Sequence, residues 1–103
     1  MIKGIGVDIV ELKRIELKIA RKILSSKELK LFNDLKDCFK QEFLAERFAV
    51  KEALFKADNQ YINYDQVTML CDDKGKPYFE DINALVSIAH DGGMVVAFVV
   101  VNN

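Results

Sequence analysis

The sequence has few of the residues from which zinc sites and disulfide frameworks are built. Its 103 residues include two cysteines, Cys38 and Cys71, and a single histidine, His90. The cysteines lie far apart and form no Cys-x-x-Cys pair, the spacing typical of zinc ligands and redox motifs. The sequence therefore supports neither a zinc site nor a disulfide framework, and we interpret both cysteines as reduced and structural.

An excess of charge of one sign is also missing, as are long apolar runs. The 15 basic and 16 acidic residues leave a net charge of -1, which provides no overall field to attract nucleic acid or an anionic membrane. The apolar run that ends at Val101 has the length of a strand, short of the roughly 20 residues of a membrane helix. The first residues lack the apolar region and cleavage site of a secretory signal. We expect a cytoplasmic protein with one domain, residues 1–103, that binds neither nucleic acid nor membrane.

The first quarter of the chain predicts a strand and then a helix. Residues 2–10 are rich in β-branched residues and indicate a strand, in which Asp8 shares its face with two glycines. Residues 11–23 carry apolar side chains at helical spacing. They predict an amphipathic helix with a basic face formed by Arg14, Lys18 and Arg21.

Two further helices are predicted before the middle of the chain. Ser25 followed by Glu28 forms a capping-box signature, which indicates a helix that runs to about Leu35. After a break near Asp37, residues 40–57 contain no Gly or Pro and many strong helix formers. They predict a central helix of about five turns.

The second half of the chain predicts strands. Residues 64–71 indicate a strand, followed by a turn at 72–77 and a short partner strand at 77–79. Residues 84–90 and 94–101 flank a glycine pair and predict two antiparallel strands joined by a tight turn. Because short turns favour antiparallel pairing, we predict an α+β fold with an antiparallel sheet packed against the long central helix.

Three residues are candidates for a catalytic centre. Asp8 is unusual in the middle of an apolar strand, because a buried carboxylate is costly unless it is paired or bound to metal. Glu52 and Lys56 project from the long helix beside small neighbours. If Asp8 and Glu52 converge, they supply hard oxygen ligands of the kind that Mg²⁺ prefers. Two simpler interpretations stay open: Asp8 ends a strand or caps a helix, and Glu52 and Lys56 form a surface ion pair.

Several basic residues are candidates for anion binding. The Lys74-Gly75-Lys76 turn contains a glycine that lets backbone amides approach an anion. His90 could bind phosphate or transfer a proton, although a lone histidine is more often structural or exposed. Arg47 and Lys51 on the long helix are interpreted as solvated charges.

Three blocks of sequence resemble one known family. Residues 4–15 (GIGVDIVELKRI) are similar to its opening strand and helix, residues 43–57 (FLAERFAVKEALFKA) to its signature helix, and residues 86–101 (VSIAHDGGMVVAFVVV) to its closing hairpin. Two shorter segments, ILSSKEL at 23–29 and DKGKPYF at 73–79, agree in the right order. The family is the holo-acyl-carrier-protein synthases, the short single-domain 4′-phosphopantetheinyl transferases.

The resemblance implies a function and a fold. Members transfer the 4′-phosphopantetheine group from coenzyme A to a serine of an apo acyl carrier protein and release 3′,5′-ADP in a Mg²⁺-dependent reaction. They share the 4′-phosphopantetheinyl transferase fold and are homotrimers with active sites between neighbouring subunits. The resemblance implies that Asp8 and Glu52 hold Mg²⁺ and that Lys56 faces the reacting diphosphate, which makes these three residues the expected catalytic set.

The resemblance also implies binding residues for the two substrates. Contacts to coenzyme A are expected from Arg47, from the turn formed by Lys74, Gly75, Lys76 and Pro77, from Ser87 and from His90. Contacts to the acidic helix of the carrier protein are expected from Arg14, Lys18 and Arg21, where complementary charge aids orientation and encounter.

One segment departs from the family's pattern. Members have a GTG-like loop soon after the signature helix, whereas this chain continues from Ala57 directly into DNQYINY at 58–64. Two other functions therefore stay open. A non-catalytic module would bind coenzyme A or a carrier protein without transfer, and a Mg²⁺-dependent hydrolase of nucleoside diphosphate derivatives would release 3′,5′-ADP without a carrier protein.

Overall fold

The computed structural model describes residues 1–103 and has an α+β architecture, as predicted. The strands are β1 (Ile2–Glu11), β2 (Met69–Cys71), β3 (Pro77–Phe79), β4 (Ala84–Asp91) and β5 (Met94–Asn102). The α-helices are α1 (Ala20–Ile23), α2 (Ser26–Asp34) and α3 (Asp37–Ala57). Single turns of 3-10 helix lie at Leu12–Arg14, Leu17–Ile19 and Tyr64–Gln66. None of the helices is both long and apolar enough to span a lipid bilayer.

The main sheet is antiparallel and has β5 at its centre. Its strand order is β1-β5-β4, and β2 and β3 form a separate two-stranded sheet. The turn between β4 and β5 consists of Gly92 and Gly93, with φ angles of 56° and 78°. Tight two-residue hairpin turns need positive φ at both positions, which glycine adopts without steric cost. The predicted glycine turn is thereby confirmed.

Helix α3 lies directly on β1, backbone against backbone. A Cβ atom added at Gly6 would lie 1.9 Å from the carbonyl oxygen of Ala53, and one added at Gly4 would lie 1.9 Å from that of Ala57. Only glycine permits such an approach, because any other side chain would collide with the helix backbone. The two glycines of the strand therefore fix how closely the helix carrying Glu52 approaches the strand carrying Asp8.

The opposite face of the main sheet is apolar and exposed. Side chains directly opposite each other in antiparallel strands share a face, and the register aligns Val7 with Phe98 and Phe98 with Ser87. The large apolar side chains exposed on this face are Ile5, Val7, Ile9, Leu85 and Phe98. A contiguous apolar surface of this kind is typical of a face that another protein surface covers.

A buried ion pair links three segments of the chain to α3. Glu28 and Lys51 are both 0% exposed, and Lys51 Nζ donates to Glu28 Oε1. The same ammonium donates to the carbonyl oxygens of Ile23, at 2.7 Å, and Tyr64, at 3.0 Å. Burial lowers the pKa of Lys51, while the charge of Glu28 acts in the opposite direction. The interpretation of Lys51 as a solvated charge is wrong, because its ammonium is fully buried and bonds to Glu28 and to two carbonyl oxygens.

Arg47 lies beside this pair and is also buried, with 4% of its surface exposed. Its Nη2 atom donates to the carbonyl oxygen of Met69 at 3.3 Å, and its guanidinium stacks 3.8 Å from the centroid of the Phe43 ring. Its Nε atom lies 3.8 Å from Glu28 Oε2. The solvated-charge interpretation is therefore wrong for Arg47 as well.

Residues 11–23 do not form the single helix that was predicted. Strand β1 continues to Glu11, and the amide of Leu12 still donates to Gly93 O at 2.9 Å. Two 3-10 turns and the short α1 follow, interrupted by extended backbone at Ile15. Because 3-10 turns also repeat about every three residues, they bring apolar side chains inward at spacings that imitate an α-helix.

The other helix predictions are confirmed with small shifts. Ser25 and Glu28 form the predicted capping box at the start of α2, with reciprocal hydrogen bonds of 2.9 and 3.3 Å. Helix α3 begins at Asp37, slightly before the predicted start. The strand predicted at 64–71 is shorter than expected, because Tyr64–Gln66 forms a 3-10 turn and the strand is confined to Met69–Cys71.

Candidate active site

A cavity of about 720 Å³ lies between β1, the 3-10 turns that follow it and α3. The polar residues at this cavity are Asp8, Glu11, Arg14, Glu52 and Lys56. Its apolar residues are Ile9, Val10, Ile15, Ile19, Phe48 and Met94. The structure thus brings Asp8, Glu52 and Lys56 to one cavity, although they belong to two elements far apart in the sequence.

Lys56 is held by two groups of β1. Its Nζ atom donates to Asp8 Oδ1 at 3.0 Å and to the carbonyl oxygen of Val7 at 3.1 Å. The Asp8 side chain is 16% exposed and that of Lys56 51%. Lys56 therefore pairs with Asp8 and not with Glu52, so the interpretation of Glu52 and Lys56 as a surface ion pair is wrong.

Tyr64 is a residue near this site that the sequence analysis did not identify. Burial, the negative charge of Glu52, a hydrogen bond to that carboxylate and the charge of Asp8 together raise the pKa of Tyr64 to about 12. Both carboxylates therefore act on the same hydroxyl group, which stays protonated at neutral pH. No sequence signal marks this contact, because it depends on the 3-10 turn at Tyr64–Gln66.

The predicted basic residues near the cavity are exposed, but they do not form one face of a helix. Arg14 lines the cavity and its Nε atom lies 3.3 Å from Glu11 Oε1. Lys18 lies 2.9 Å from Glu16 in the second 3-10 turn. Arg21 is exposed on α1. Two of the three cations are thus partly neutralised within the chain.

The Lys74-Gly75-Lys76-Pro77 turn is closed by a carboxylate of the chain itself. Asp72 Oδ1 accepts hydrogen bonds from the amides of Lys74, at 2.9 Å, and Lys76, at 2.8 Å. Gly75 has a φ of 81°, as this turn requires. The expectation that these amides are open to an outside anion is therefore wrong, while the side chains of Lys74 and Lys76 remain exposed.

The remaining residues expected to contact coenzyme A lie elsewhere in the chain. His90 Nε2 is 2.7 Å from Glu46 Oε2 and 3.5 Å from Glu42 Oε1. Ser87 is exposed on the sheet face opposite α3, and Arg47 is in the interior. One copy of the chain therefore does not gather these residues around the cavity that contains Asp8.

The short segment after α3 is tied to the helix end. Asp58 Oδ2 lies 3.0 Å from Lys3 Nζ, and its Oδ1 accepts from the Gln60 amide at 3.2 Å. Hydrogen bonds from Gln60 and Lys3 lower the pKa of Asp58. Asn59 Nδ2 donates to the Phe55 carbonyl oxygen at 2.8 Å. These contacts hold the start of the connection against the end of α3 and against Lys3 of β1.

Comparison with known proteins identifies the class to which this fold and site belong. The family model described as the 4'-phosphopantetheinyl transferase superfamily matches residues 4–99, so the chain belongs to that superfamily. The relatives that it matches along nearly their whole length are holo-[acyl-carrier-protein] synthases. The one from Petrotoga mobilis is 40% identical, with 98% of this chain and 97% of the relative covered.

Solved structures give the same result. The holo-(acyl-carrier-protein) synthase from Bacillus anthracis, in complex with CoA (3',5'-ADP), is 37% identical with a TM-score of 0.87, and the match covers 98% of this chain and 96% of that chain. The Helicobacter pylori holo-[acyl-carrier-protein] synthase in complex with coenzyme A is 28% identical with a TM-score of 0.73, covering 95% and 99%. The predicted family and fold are confirmed.

Proposed function

We propose that this chain transfers the 4′-phosphopantetheine group from coenzyme A to a serine hydroxyl of an apo acyl carrier protein, with Mg²⁺ held by Asp8 and Glu52. The observation that carries the proposal is the convergence of Asp8, Glu52 and Lys56 on one cavity in a chain of this family. In the reaction the serine oxygen bonds to the β-phosphorus. The bond from that phosphorus to the bridging oxygen breaks, its electron pair leaves with 3′,5′-ADP, and the serine proton passes to solvent.

The carboxylates at the cavity fit a hard dication. Asp8 and Glu52 supply oxygen ligands, and one or two carboxylates plus substrate phosphates are a usual set for Mg²⁺. The charges of both carboxylates raise the pKa of Tyr64, which supports their placement around one small region. When bound there, Mg²⁺ supplies positive charge to the diphosphate oxygens.

Lys56 is suited to stabilise the leaving group. Its ammonium has three donor positions, of which two are used by Asp8 and Val7. The third is available to a phosphate oxygen, and a 51% exposed side chain can move toward one. Charge that develops on the bridging oxygen is stabilised by such a positioned donor.

The two substrates are expected to approach from different sides. Arg14 lines the cavity, and Lys18 and Arg21 are exposed on the turn and helix that follow it along the chain. These three cations fit an acidic partner such as a carrier-protein helix. Coenzyme A is expected to contact Arg47, Ser87, His90 and the Lys74–Pro77 turn. Arg47 is the weakest member of this set, because its interior contacts explain its presence without a ligand.

We propose a homotrimer in which active sites lie between subunits. The exposed apolar sheet face gives the chain a surface that a second copy can cover, with Phe98 at its middle. Ser87 lies beside Phe98 on this face. In such a homotrimer coenzyme A would contact residues of two copies, which would account for the separation of the two residue sets in one chain.

The test is intact mass spectrometry of an apo acyl carrier protein after incubation with the enzyme, coenzyme A and Mg²⁺. The expected result is a mass gain of one phosphopantetheine group that disappears with a chelator. Asp8→Asn and Glu52→Gln should each lower the rate by roughly 100-fold or more. Asp73→Asn, in the exposed turn after β2, should retain the rate of the unmodified enzyme.

Other results would favour another function. Binding of coenzyme A without any mass gain, in correctly folded protein tested with several carrier proteins, would indicate a binding module. Release of 3′,5′-ADP without carrier protein would indicate a hydrolase. Full activity in Asp8→Asn would contradict the metal assignment while leaving the transfer reaction intact.

A further inference from the structure

A second cluster of potential metal ligands lies outside the cavity. Glu42 and Glu46 are one turn apart on the same face of α3. His90, near the end of β4, places Nε2 2.7 Å from Glu46 Oε2 and 3.5 Å from Glu42 Oε1. One ligand atom from each residue lies within 4.8 Å of the other two.

The distances between these ligand atoms are close to the distances between neighbouring ligands of a small dication. Bonds of about 2.0–2.2 Å from zinc to nitrogen and oxygen place tetrahedral ligands roughly 3.4 Å apart. The separations of His90 from the two glutamates fall on either side of that value. Small rotations of side chains that are 22–51% exposed would equalise them.

The charge of the cluster also favours a cation. Two carboxylates face one imidazole in this cluster. Apart from His90, the only cationic side chain within ion-pair distance of these two carboxylates is Arg47, whose Nη1 donates to Glu46 Oε1 at 3.5 Å. Arg47 is itself shared with Glu28 and the carbonyl of Met69. A bound dication would balance the two carboxylates.

The ligand types distinguish this cluster from the pair at Asp8 and Glu52. A set that contains imidazole suits zinc and its first-row neighbours, whereas Mg²⁺ is bound through oxygen. We propose that Glu42, Glu46 and His90 form a binding site for a first-row transition-metal dication, represented by Zn²⁺, at the junction of α3 and β4. Three protein ligands leave a further coordination position for water or an anionic group.

Given the proposed function, zinc bound at this site should affect the binding of coenzyme A. His90 is one of the residues expected to contact coenzyme A, and an imidazole nitrogen bound to zinc cannot also bind a phosphate group through that atom. Zinc and coenzyme A should therefore compete at His90.

The direct test is Zn²⁺ binding measured by calorimetry, without coenzyme A. Cys38 and Cys71 are exposed thiols, so the background is the protein with Cys38→Ser and Cys71→Ser. We expect one saturable Zn²⁺ per chain in this background. Glu46→Gln and His90→Gln should each weaken binding by about tenfold or more, since changes of indirect partners alone cost 10-fold to 100-fold. Glu42→Gln should weaken it as well, and Co²⁺ should give a visible absorption band that the same changes remove.

Matched variants separate this site from the proposed active site. Asp8→Asn in the same background should leave the Zn²⁺ affinity unchanged. Loss of Zn²⁺ binding in Asp8→Asn but not in His90→Gln would overturn the proposal, as would the lack of saturable binding in folded protein. Because this readout needs neither coenzyme A nor carrier protein, a failed transfer assay and a failed zinc titration are distinguishable results.

Discussion

Lys56 and Asp8, separated by 48 residues in sequence, are joined by a hydrogen bond of 3.0 Å at the edge of the cavity. The ammonium lies against a carboxylate that we propose as a Mg²⁺ ligand, so a lysine and a dication would share one negatively charged group. Like charges around a shared carboxylate oppose each other. The two proposed roles of Asp8, metal ligand and anchor for Lys56, are therefore in competition.

Removal of the Lys56 charge should affect metal binding and transfer in opposite directions. Lys56→Met is expected to bind Mg²⁺ severalfold more tightly, because a competing cation is removed, and to transfer roughly 100-fold more slowly, because a donor to the leaving phosphate is lost. Calorimetric Mg²⁺ titration and the mass-spectrometric assay measure the two effects. Lys22→Met, at an exposed position of α1, is the control and should change neither. Weaker Mg²⁺ binding in Lys56→Met would contradict the shared-carboxylate arrangement.

Tyr64 should make the stability of the protein depend on pH at the alkaline end. Its pKa is raised from 10 to about 12, so the folded protein retains a proton that the unfolded chain loses. The stabilisation from this proton is fully present below about pH 10. It is lost as the pH rises toward 12, which lowers the free energy of unfolding by roughly 1–2 kcal/mol after solvent screening is considered.

The measurement for Tyr64 is the difference in the free energy of unfolding between wild type and Tyr64→Phe, from pH 9 to pH 12. This difference should shrink with rising pH, while contributions from the other tyrosines and the lysines cancel. Tyr61→Phe, at a half-buried position in the next turn, is the control. If the difference in the free energy of unfolding between wild type and Tyr64→Phe does not depend on pH, the charges of the two carboxylates do not act on the Tyr64 hydroxyl.

Gly6 should tolerate no side chain. In Gly6→Ala the new methyl group would lie 1.9 Å from Ala53 O, which requires the helix to move off the strand. We expect a loss of about 3 kcal/mol or more in the free energy of unfolding, measured with urea at fixed protein concentration. Gly92→Ala is the matched control: its methyl group would meet no atom, and its φ of 56° should cost only about 1 kcal/mol. Equal losses in both variants would contradict the close contact.

The buried pair of Glu28 and Lys51 should behave as a unit. Lys51→Met leaves a fully buried carboxylate without its cation and is expected to cost about 3–5 kcal/mol in the free energy of unfolding. The double variant Glu28→Gln/Lys51→Met should recover only part of this loss. The carboxylate without its ammonium is gone and the amide can still bond to the backbone of Ser25 or Met69, but the buried Arg47 loses a carboxylate 3.8 Å from its Nε atom. Additive losses in the double variant would show that the two side chains do not depend on each other.

Arg21 should contribute to carrier-protein recognition through charge. Arg14 and Lys18 have acidic neighbours within the chain, so we expect Arg21 to carry the most available positive charge. Arg21→Ala should lower kcat/KM for the carrier protein by roughly threefold to tenfold at low salt, and less at high salt because screening weakens the attraction. Lys30→Ala on α2 is the control. A salt-independent loss would point to a packing role for Arg21.

Elements with a local signal were predictable from the sequence. The capping box of Ser25 and Glu28 marks the start of α2, uninterrupted helix formers mark α3, and the glycine pair between two β-branched runs marks the β4-β5 hairpin. Each signal lies within a few residues of the structure that it predicts, so no knowledge of the rest of the fold is needed. From the sequence, the convergence of Asp8 and Glu52 could be stated only as a condition, because it depends on how α3 packs on β1.

Features that depend on distant parts of the chain were missed. Lys51 is buried because carbonyl oxygens of Ile23 and Tyr64 and the carboxylate of Glu28 meet at one point, and no sequence window contains all of them. The turn amides near Gly75 are occupied by Asp72, a short-range contact that the sequence allows but does not require. Apolar spacing in residues 11–23 fits both a helix and a series of 3-10 turns, so periodicity alone does not separate them.

The contact between Gly6 and the backbone of Ala53 also bears on how this protein can change over time. The separation of the strand that carries Asp8 from the helix that carries Glu52 and Lys56 is set by main-chain atoms and not by the size of core side chains. Apolar residues elsewhere in the core can therefore be exchanged during evolution, at a cost in stability alone, while the spacing of the reactive groups is inherited unchanged. Descendants of this chain should diverge freely in their core and still keep a glycine at this position of the first strand.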